Sequence, residues 1–167
     1  MHAPKKNDYQ PHIDGNTLAS PIVEVQSPAP VNHYATSKAA MEYMAMPYSS
    51  VLPLFFVRPF NYTGPLQSPN FIIPKLVSHF VKKSEVIELG NIDVEREFND
   101  VRFVCDTYIK LLTTAKVGDI CNIFTGTPIS LTKIIETLAQ LTGYKIKVVI
   151  NPSFVRSNEI KQLYGSP

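Results

Sequence analysis

Asn32-His33-Tyr34-Ala35-Thr36-Ser37-Lys38 opens a helical pattern, and Val57-Arg58-Pro59-Phe60-Asn61-Tyr62-Thr63-Gly64-Pro65 closes the strand that follows it. Tyr34 and Lys38 are four residues apart, so on a helix they share one face. An ordinary phenol has a pKa of about 10, too high for proton exchange at neutral pH. A neighbouring ammonium favours the phenolate and brings a phenol toward working range. The pair therefore reads as a candidate acid/base couple. A bare Tyr-x-x-x-Lys is also what a solvated helix face presents, so the second stretch matters. Leu54-Phe55-Phe56-Val57 is a continuous apolar run, as expected of a strand buried on both faces of a parallel sheet. It runs straight into Arg58-Pro59, and ligands of open α/β sheets gather at the carboxyl ends of strands.

Outward from this centre the pattern alternates helix and strand. Residues 1–30 read as loop, with Pro, Gly, Asn, Asp and Ser recurring without periodicity. A helix runs from Tyr34 to about Ala45, with Pro47 as its stop, since an interior proline costs ~3 kcal/mol. Residues 59–71 are loop. Pro74 suits the first turn of a helix in which Ile73, Leu76, Val77, Phe80 and Val81 recur at helical spacing. Residues 86–89 form a short strand, and 95–99 another. Val101, Val104, Cys105, Tyr108, Leu112 and Ala115 mark a helix face, and 120–124 a strand. Ser130 is a good N-cap for a helix that turns Leu131, Ile134, Ile135, Leu138 and Leu141 inward and stops at Gly143. Residues 145–150 alternate as a half-exposed strand, and Ser157 caps a last short helix ending at Gly165. No internal repeat or low-complexity tract is visible.

Composition bounds the function classes. The 167 residues suit one domain with a real core, and 44% hydrophobic with 18% charged content is ordinary for a globular protein. A net charge of +2 with no basic run argues against nucleic acid as a partner. Fourteen prolines, clustered before Tyr34 and around 59–74, fit a loop-rich substrate region. Cys105 and Cys121 read as packed free thiols. No His or Cys pair has zinc-ligand spacing, so no metal is expected, and His33 reads as structural. Neither a signal peptide nor a transmembrane run is apparent, which makes a cytoplasmic, reducing setting the expectation and a membrane partner unexpected.

Tyr-Ala-x-Ser-Lys, a helix, then a strand ending in Arg-Pro-Phe-Asn-x-x-Gly-Pro resembles the core of the extended short-chain dehydrogenase/reductase (NAD-dependent epimerase/dehydratase) family. Pro21-Ile22-Val23-Glu24 and Ser27-Pro28-Ala29-Pro30-Val31-Asn32 are similar to the family's segment before the tyrosine. Leu89-Gly90-Asn91, Arg96-Glu97-Phe98-Asn99-Asp100-Val101-Arg102 and Arg156-Ser157-Asn158-Glu159 are similar to one branch, the GDP-6-deoxy-4-keto-mannose reductases and GDP-mannose 4,6-dehydratases. The resemblance implies an α/β fold: part of a Rossmann-type doubly wound domain without its N-terminal βαβ units, plus a small C-terminal α/β substrate-binding lobe. Residues 1–30 would be a leader outside the core, 31–65 the remaining part of the dinucleotide-binding domain, and 66–167 the substrate lobe, truncated at its end. The family's opening Gly-x-x-Gly-x-x-Gly turn has no match among the seven glycines. If Gly15 matches the family's Tyr-Gly pair, the catalytic Ser/Thr falls near Tyr9 or Gln10, neither of which is a Ser or Thr.

The resemblance also implies roles. Tyr34 would donate a proton to a sugar carbonyl, and Lys38 would hold the nicotinamide-ribose hydroxyls. Pro59 would lie beside the nicotinamide, with Arg58 and Phe60 also on the cofactor side; Arg58 is equally well read as a structural salt bridge. Asn61 would bond the sugar nucleotide. Arg96 and Arg156 would take pyrophosphate and nucleoside, since a guanidinium matches phosphate oxygens. Glu159 would accept the ribose hydroxyls, and Lys75 would reach a phosphate or base or else sit on the surface. The implied function is part of an NADP- or NAD-dependent nucleotide-sugar oxidoreductase, most specifically one for 4-keto reduction of a GDP-6-deoxyhexose. A 4,6-dehydratase or epimerase is the alternative within the family. The alternative outside catalysis is an inactive sugar-nucleotide-binding or dimer-forming module, with the Tyr34 helix at a homodimer interface.

Overall fold

A computed structural model of the chain describes residues 20–30, 32–155 and 159–166. In chain order it runs α1 (His33–Ala45), β1 (Phe56–Pro59), β2 (Tyr62–Thr63), α2 (Ile72–Val81), β3 (Val86–Leu89), β4 (Glu95–Arg96), β5 (Asn99–Asp100), α3 (Val101–Thr114), β6 (Ile120–Ile123), β7 (Ile129–Ser130), α4 (Leu131–Thr142), β8 (Lys147–Ile150) and β9 (Gln162–Leu163). The fold is α/β, and each of its small sheets contains a parallel pair. The chain divides into two compact units: residues 1–64, 97–127 and 164–167, and residues 65–96 and 128–163. The first crossing falls just after β2, between Gly64 and Pro65. The block expected at 66–167 is divided, because α3 and β6 cluster with β1.

In the first unit β1 and β6 pair in parallel, from Phe56 opposite Ile120 to Pro59 opposite Ile123. The ladder continues past the strand, with Phe60 N–H donating to the Ile123 carbonyl at 2.9 Å. This pairing moves the strand two residues beyond the apolar run read from sequence, and Leu54 instead accepts from Gly118 N–H in a turn. Burial on both faces is not what β1 shows. Phe56 is buried but Val57, Arg58 and Pro59 are half-buried, since among the described residues β1 has a strand on one edge only. Asn32 caps α1, its Oδ1 accepting from Ala35 N–H at 2.8 Å, which starts the helix one residue early, at His33. The inward stripe of α1 is Ala35, Ala39 and Glu42, at i, i+4 and i+7. Past Ala45 the chain tightens into a 3₁₀ turn, Met46–Ser50, with Pro47 near its start, where no N–H is needed.

The face read for α3 is less buried than its pattern suggests. Val104 is buried, but Cys105 is exposed and Tyr108 and Leu112 are 39% and 72% accessible. One residue step turns a helix by about 100°, which carries Cys105 off the inner line through Val104. The expected packed thiol is therefore an exposed one, while Cys121 in β6 is half-buried and pushed above its ordinary pKa chiefly by burial. The stretch at 95–99 forms two strands of two residues, interrupted where the fully buried Glu97 turns inward.

In the second unit α2 and α4 enclose a core of Leu76, Ile87 and Leu89, with Ile134, Ile135 and Leu138 packed on it from α4. β3 and β8 pair in parallel from Val86 opposite Lys147. Ser130 caps α4 by accepting from Lys133 N–H, and Gly143 ends it at φ +63°, a left-handed position suited to glycine. Leu141, read as inward, is exposed. The three-stranded sheet runs β7-β4-β9, β4 being antiparallel to β7 and parallel to β9. Where a last helix was read from Ser157 to Gly165, residues 159–166 hold no helix and β9 takes its place; Ser157 lies outside the described residues.

Candidate functional site

The cap at Asn32 sets the phase of α1 and so sets Tyr34 and Lys38 one turn apart, both half-buried. The Lys38 ammonium lies over the Tyr34 ring, 5.3 Å from its centroid, a cation–π arrangement. None of the ion pairs among the described residues involves Lys38. Among the described residues its N–H donors face no carboxylate, so they can turn to acceptor oxygens of a ligand.

Two turns beyond Tyr34, Glu42 is buried beneath α1 and meets Arg58 of β1. Nε donates to Oε1 at 3.0 Å and Nη2 to Oε2 at 2.8 Å, with side chains 9% and 7% accessible. The salt-bridge reading of Arg58 is the one the geometry displays, and the fork ties the Tyr-Lys helix to the strand that leads into Pro59. Glu42 escaped the sequence reading, although its place on the stripe of Ala35 and Ala39 marks it as inward. Phe60 is buried and meets Phe124 edge-on, with centroids 6.1 Å apart. Its ring belongs to the core. Asn61 is half-buried, and its carbonyl accepts from Asn99 N–H at 2.8 Å and Asn99 Nδ2 at 3.2 Å.

A buried carboxylate supports the same unit. Glu97 accepts from Thr125 N–H, from Thr125 Oγ1 and from Gly165 N–H, so backbone and hydroxyl donors satisfy it.

In the second unit Arg96 and Glu159 come together, Nη2 donating to Oε1 at 2.7 Å, while Nη1 donates to the Glu95 and Lys161 carbonyls. Glu159, expected at ribose hydroxyls, engages Arg96 beside the β4–β9 pairing. Arg156 lies outside the described residues, as do Tyr9 and Gln10. Lys75, on α2, donates to the Glu88 carbonyl at 2.7 Å and sits 5.3 Å from the centroid of the Phe154 ring. Burial lowers its pKa and Glu88 partly offsets that. No group of three or more His, Cys, Asp or Glu side chains among the described residues is placed to hold a metal ion, and no helix there is long and apolar enough to cross a membrane.

The sequence model of GDP-mannose 4,6 dehydratase matches residues 14–167. GDP-6-deoxy-D-talose 4-dehydrogenase of Aggregatibacter actinomycetemcomitans is 39% identical over 146 residues, which are 87% of this chain and 50% of that protein. GDP-6-deoxy-D-mannose reductase of Pseudomonas aeruginosa is 31% identical over 155 residues, 89% of this chain and 51% of that protein. Among solved structures, RMD from Pseudomonas aeruginosa complexed with NADPH superposes with a TM-score of 0.86 at 30% identity, covering 92% of this chain and 54% of that one. The chain thus spans about half the length of the relatives it matches. With the match running from residue 14 to residue 167, the chain belongs to the GDP-mannose 4,6 dehydratase family of nucleotide-sugar enzymes.

Proposed function

We propose that this chain is the part of an NAD(P)-dependent nucleotide-sugar oxidoreductase that supplies the proton and grips the sugar nucleotide, in the 4-keto reduction of a GDP-6-deoxyhexose. The observation that carries the reading is the Tyr34–Lys38 pair on a helix tied by Glu42 and Arg58 to β1. The names of the two curated relatives support a GDP-6-deoxyhexose as substrate class.

The residues present fit the nicotinamide end of the cofactor: Lys38 forms no ion pair among the described residues and can offer donors to ribose hydroxyls, and Pro59 ends a parallel strand where such ligands gather. The 167 residues hold no glycine-rich turn to cradle the pyrophosphate. When bound, the reduced cofactor supplies a hydride to C4. Tyr34 donates its hydroxyl proton to the C4 oxygen, so the ketone becomes an alcohol. Arg58 and Phe60 act behind the site, Arg58 by holding α1 on β1 and Phe60 by seating the turn in the core. Asn61 bonds the sugar nucleotide. Arg96 and Arg156 take pyrophosphate oxygens, Glu159 the ribose hydroxyls, and Lys75 a phosphate or base oxygen.

Calorimetric titration of the chain with GDP-mannose and with UDP-glucose tests the reading. GDP-mannose is expected to bind, and Arg96→Ala to weaken it by about 10-fold or more, as loss of a charged hydrogen bond does. Absence of binding by either nucleotide sugar would overturn it.

A second reading concerns assembly. Met41, Met44, Tyr48 and Leu52 are more than half exposed and line an open apolar groove along α1 and the turn after it. Such a face favours a homodimer through α1.

A further inference from the structure

We infer that Asn99 is a positioning residue for Asn61. The inference rests on the reading of Asn61 as a contact of the bound sugar nucleotide. The loop between β1 and β2 is two residues long: Phe60 is held by Ile123 and Phe124, and Asn61 is held by Asn99. Asn99 gives the Asn61 carbonyl two donors, its backbone N–H at 2.8 Å and its side-chain Nδ2 at 3.2 Å. The next residues continue the grip, with Tyr62 opposite Asn99 and Thr63 opposite Asp100 in the β2–β5 ladder. Gly64 then lies so close to Val101 that a Cβ there would collide with the valine side chain.

The side chain of Asn99 is 1% accessible, and its Oδ1 is buried without a hydrogen-bond partner among the described residues. Half of a buried amide is thus left unsatisfied, an arrangement that stability alone disfavours. The other half is spent on the Asn61 carbonyl. A valine or threonine would fill the same strand position without the orphaned oxygen. What the asparagine adds is a second donor on that carbonyl, which fixes the orientation of the Asn61 peptide and so the origin of the Asn61 side chain. Holding a binding group in place before the ligand arrives raises affinity by lowering the ordering cost.

The test is a double-mutant cycle on the intact chain, read by calorimetric titration with GDP-mannose. Asn99→Ala removes the side-chain donor and keeps the backbone one, so the affinity is expected to fall roughly 3- to 10-fold, the size of one hydrogen bond. In an Asn61→Ala background the same substitution is expected to change affinity by less than a factor of about two, since its effect passes through the Asn61 side chain. A merely structural lesion would weaken both backgrounds alike, and that result would overturn the inference. Should Asn99→Ala fail to fold, as judged by circular dichroism, Asn99→Ser serves in the same cycle. Wild-type affinity in the Asn99 variants would defeat the positioning role and leave the proposed function standing. Absence of GDP-mannose binding by the wild type would defeat both.

Discussion

Asp100 shows how much a single local contact sets at the residue scale. Its carboxylate caps α3, accepting from Arg102 N–H at 2.8 Å, and Arg102 also reaches back with Nε and Nη2. The side-chain bonds from Arg102, and then its backbone N–H, hold the carboxyl down at about 2 against 3.8. The folded pKa is depressed, so the contribution is present above pH 3.8 and is lost as pH falls through about 2. Carboxyl-carbon NMR is expected to show Asp100 titrating near 2, and Arg102→Ala to return it toward 3.8; a midpoint near 3.8 in the wild type would refute the fork. The Glu42–Arg58 pair is buried, so breaking it is costly. Glu42→Gln is expected to destabilise the chain by about 3–5 kcal/mol in urea denaturation, because it removes one charge of a buried ion pair. The closeness of Tyr34 and Lys38 was legible in the sequence because a spacing of four places both on one helix face. Glu42 and Asn99 were not, because each acts on a partner 16 or 38 residues away that only the fold brings near.

Elements with strong local signals formed where the sequence placed them. α2 has proline in its first turn, and α4 has a serine cap and a left-handed glycine stop. Ser130→Ala is expected to cost about 1 kcal/mol, measured as a lowered melting temperature, since it frees the Lys133 amide. Gly90 is a different case. A Cβ there would meet the Phe154 backbone carbonyl, which cannot turn aside as a side chain would. Gly90→Ala is therefore expected to destabilise by roughly 1–3 kcal/mol; a neutral result would show that the 152–154 turn yields. Elements fixed by pairing were less legible. β1 slid two residues because Ile120–Ile123 sets its register, and β9 replaced a helix because β4 offered it an edge.

At the scale of the whole molecule, the 167 residues match about half of each curated relative and hold no glycine-rich turn. This polypeptide is accordingly expected to bind NADPH and NADH no tighter than millimolar; a micromolar dissociation constant by calorimetry would contradict that. Among the described residues β1 pairs on one edge only and the methionines of α1 are exposed, an edge and an apolar face that another chain could cover. The central claim, that Tyr34 is the proton donor of a 4-keto reduction, is tested most directly in a chimera. The N-terminal half of the Aggregatibacter relative is joined to this chain, and NADPH-dependent reduction of a GDP-4-keto-6-deoxyhexose is followed for Tyr34 and for Tyr34→Phe. In Tyr34→Phe kcat is expected to fall about 10²- to 10⁴-fold, the usual worth of general acid catalysis, while substrate binding is retained. A kcat within a factor of about two of the unmutated chimera would contradict it.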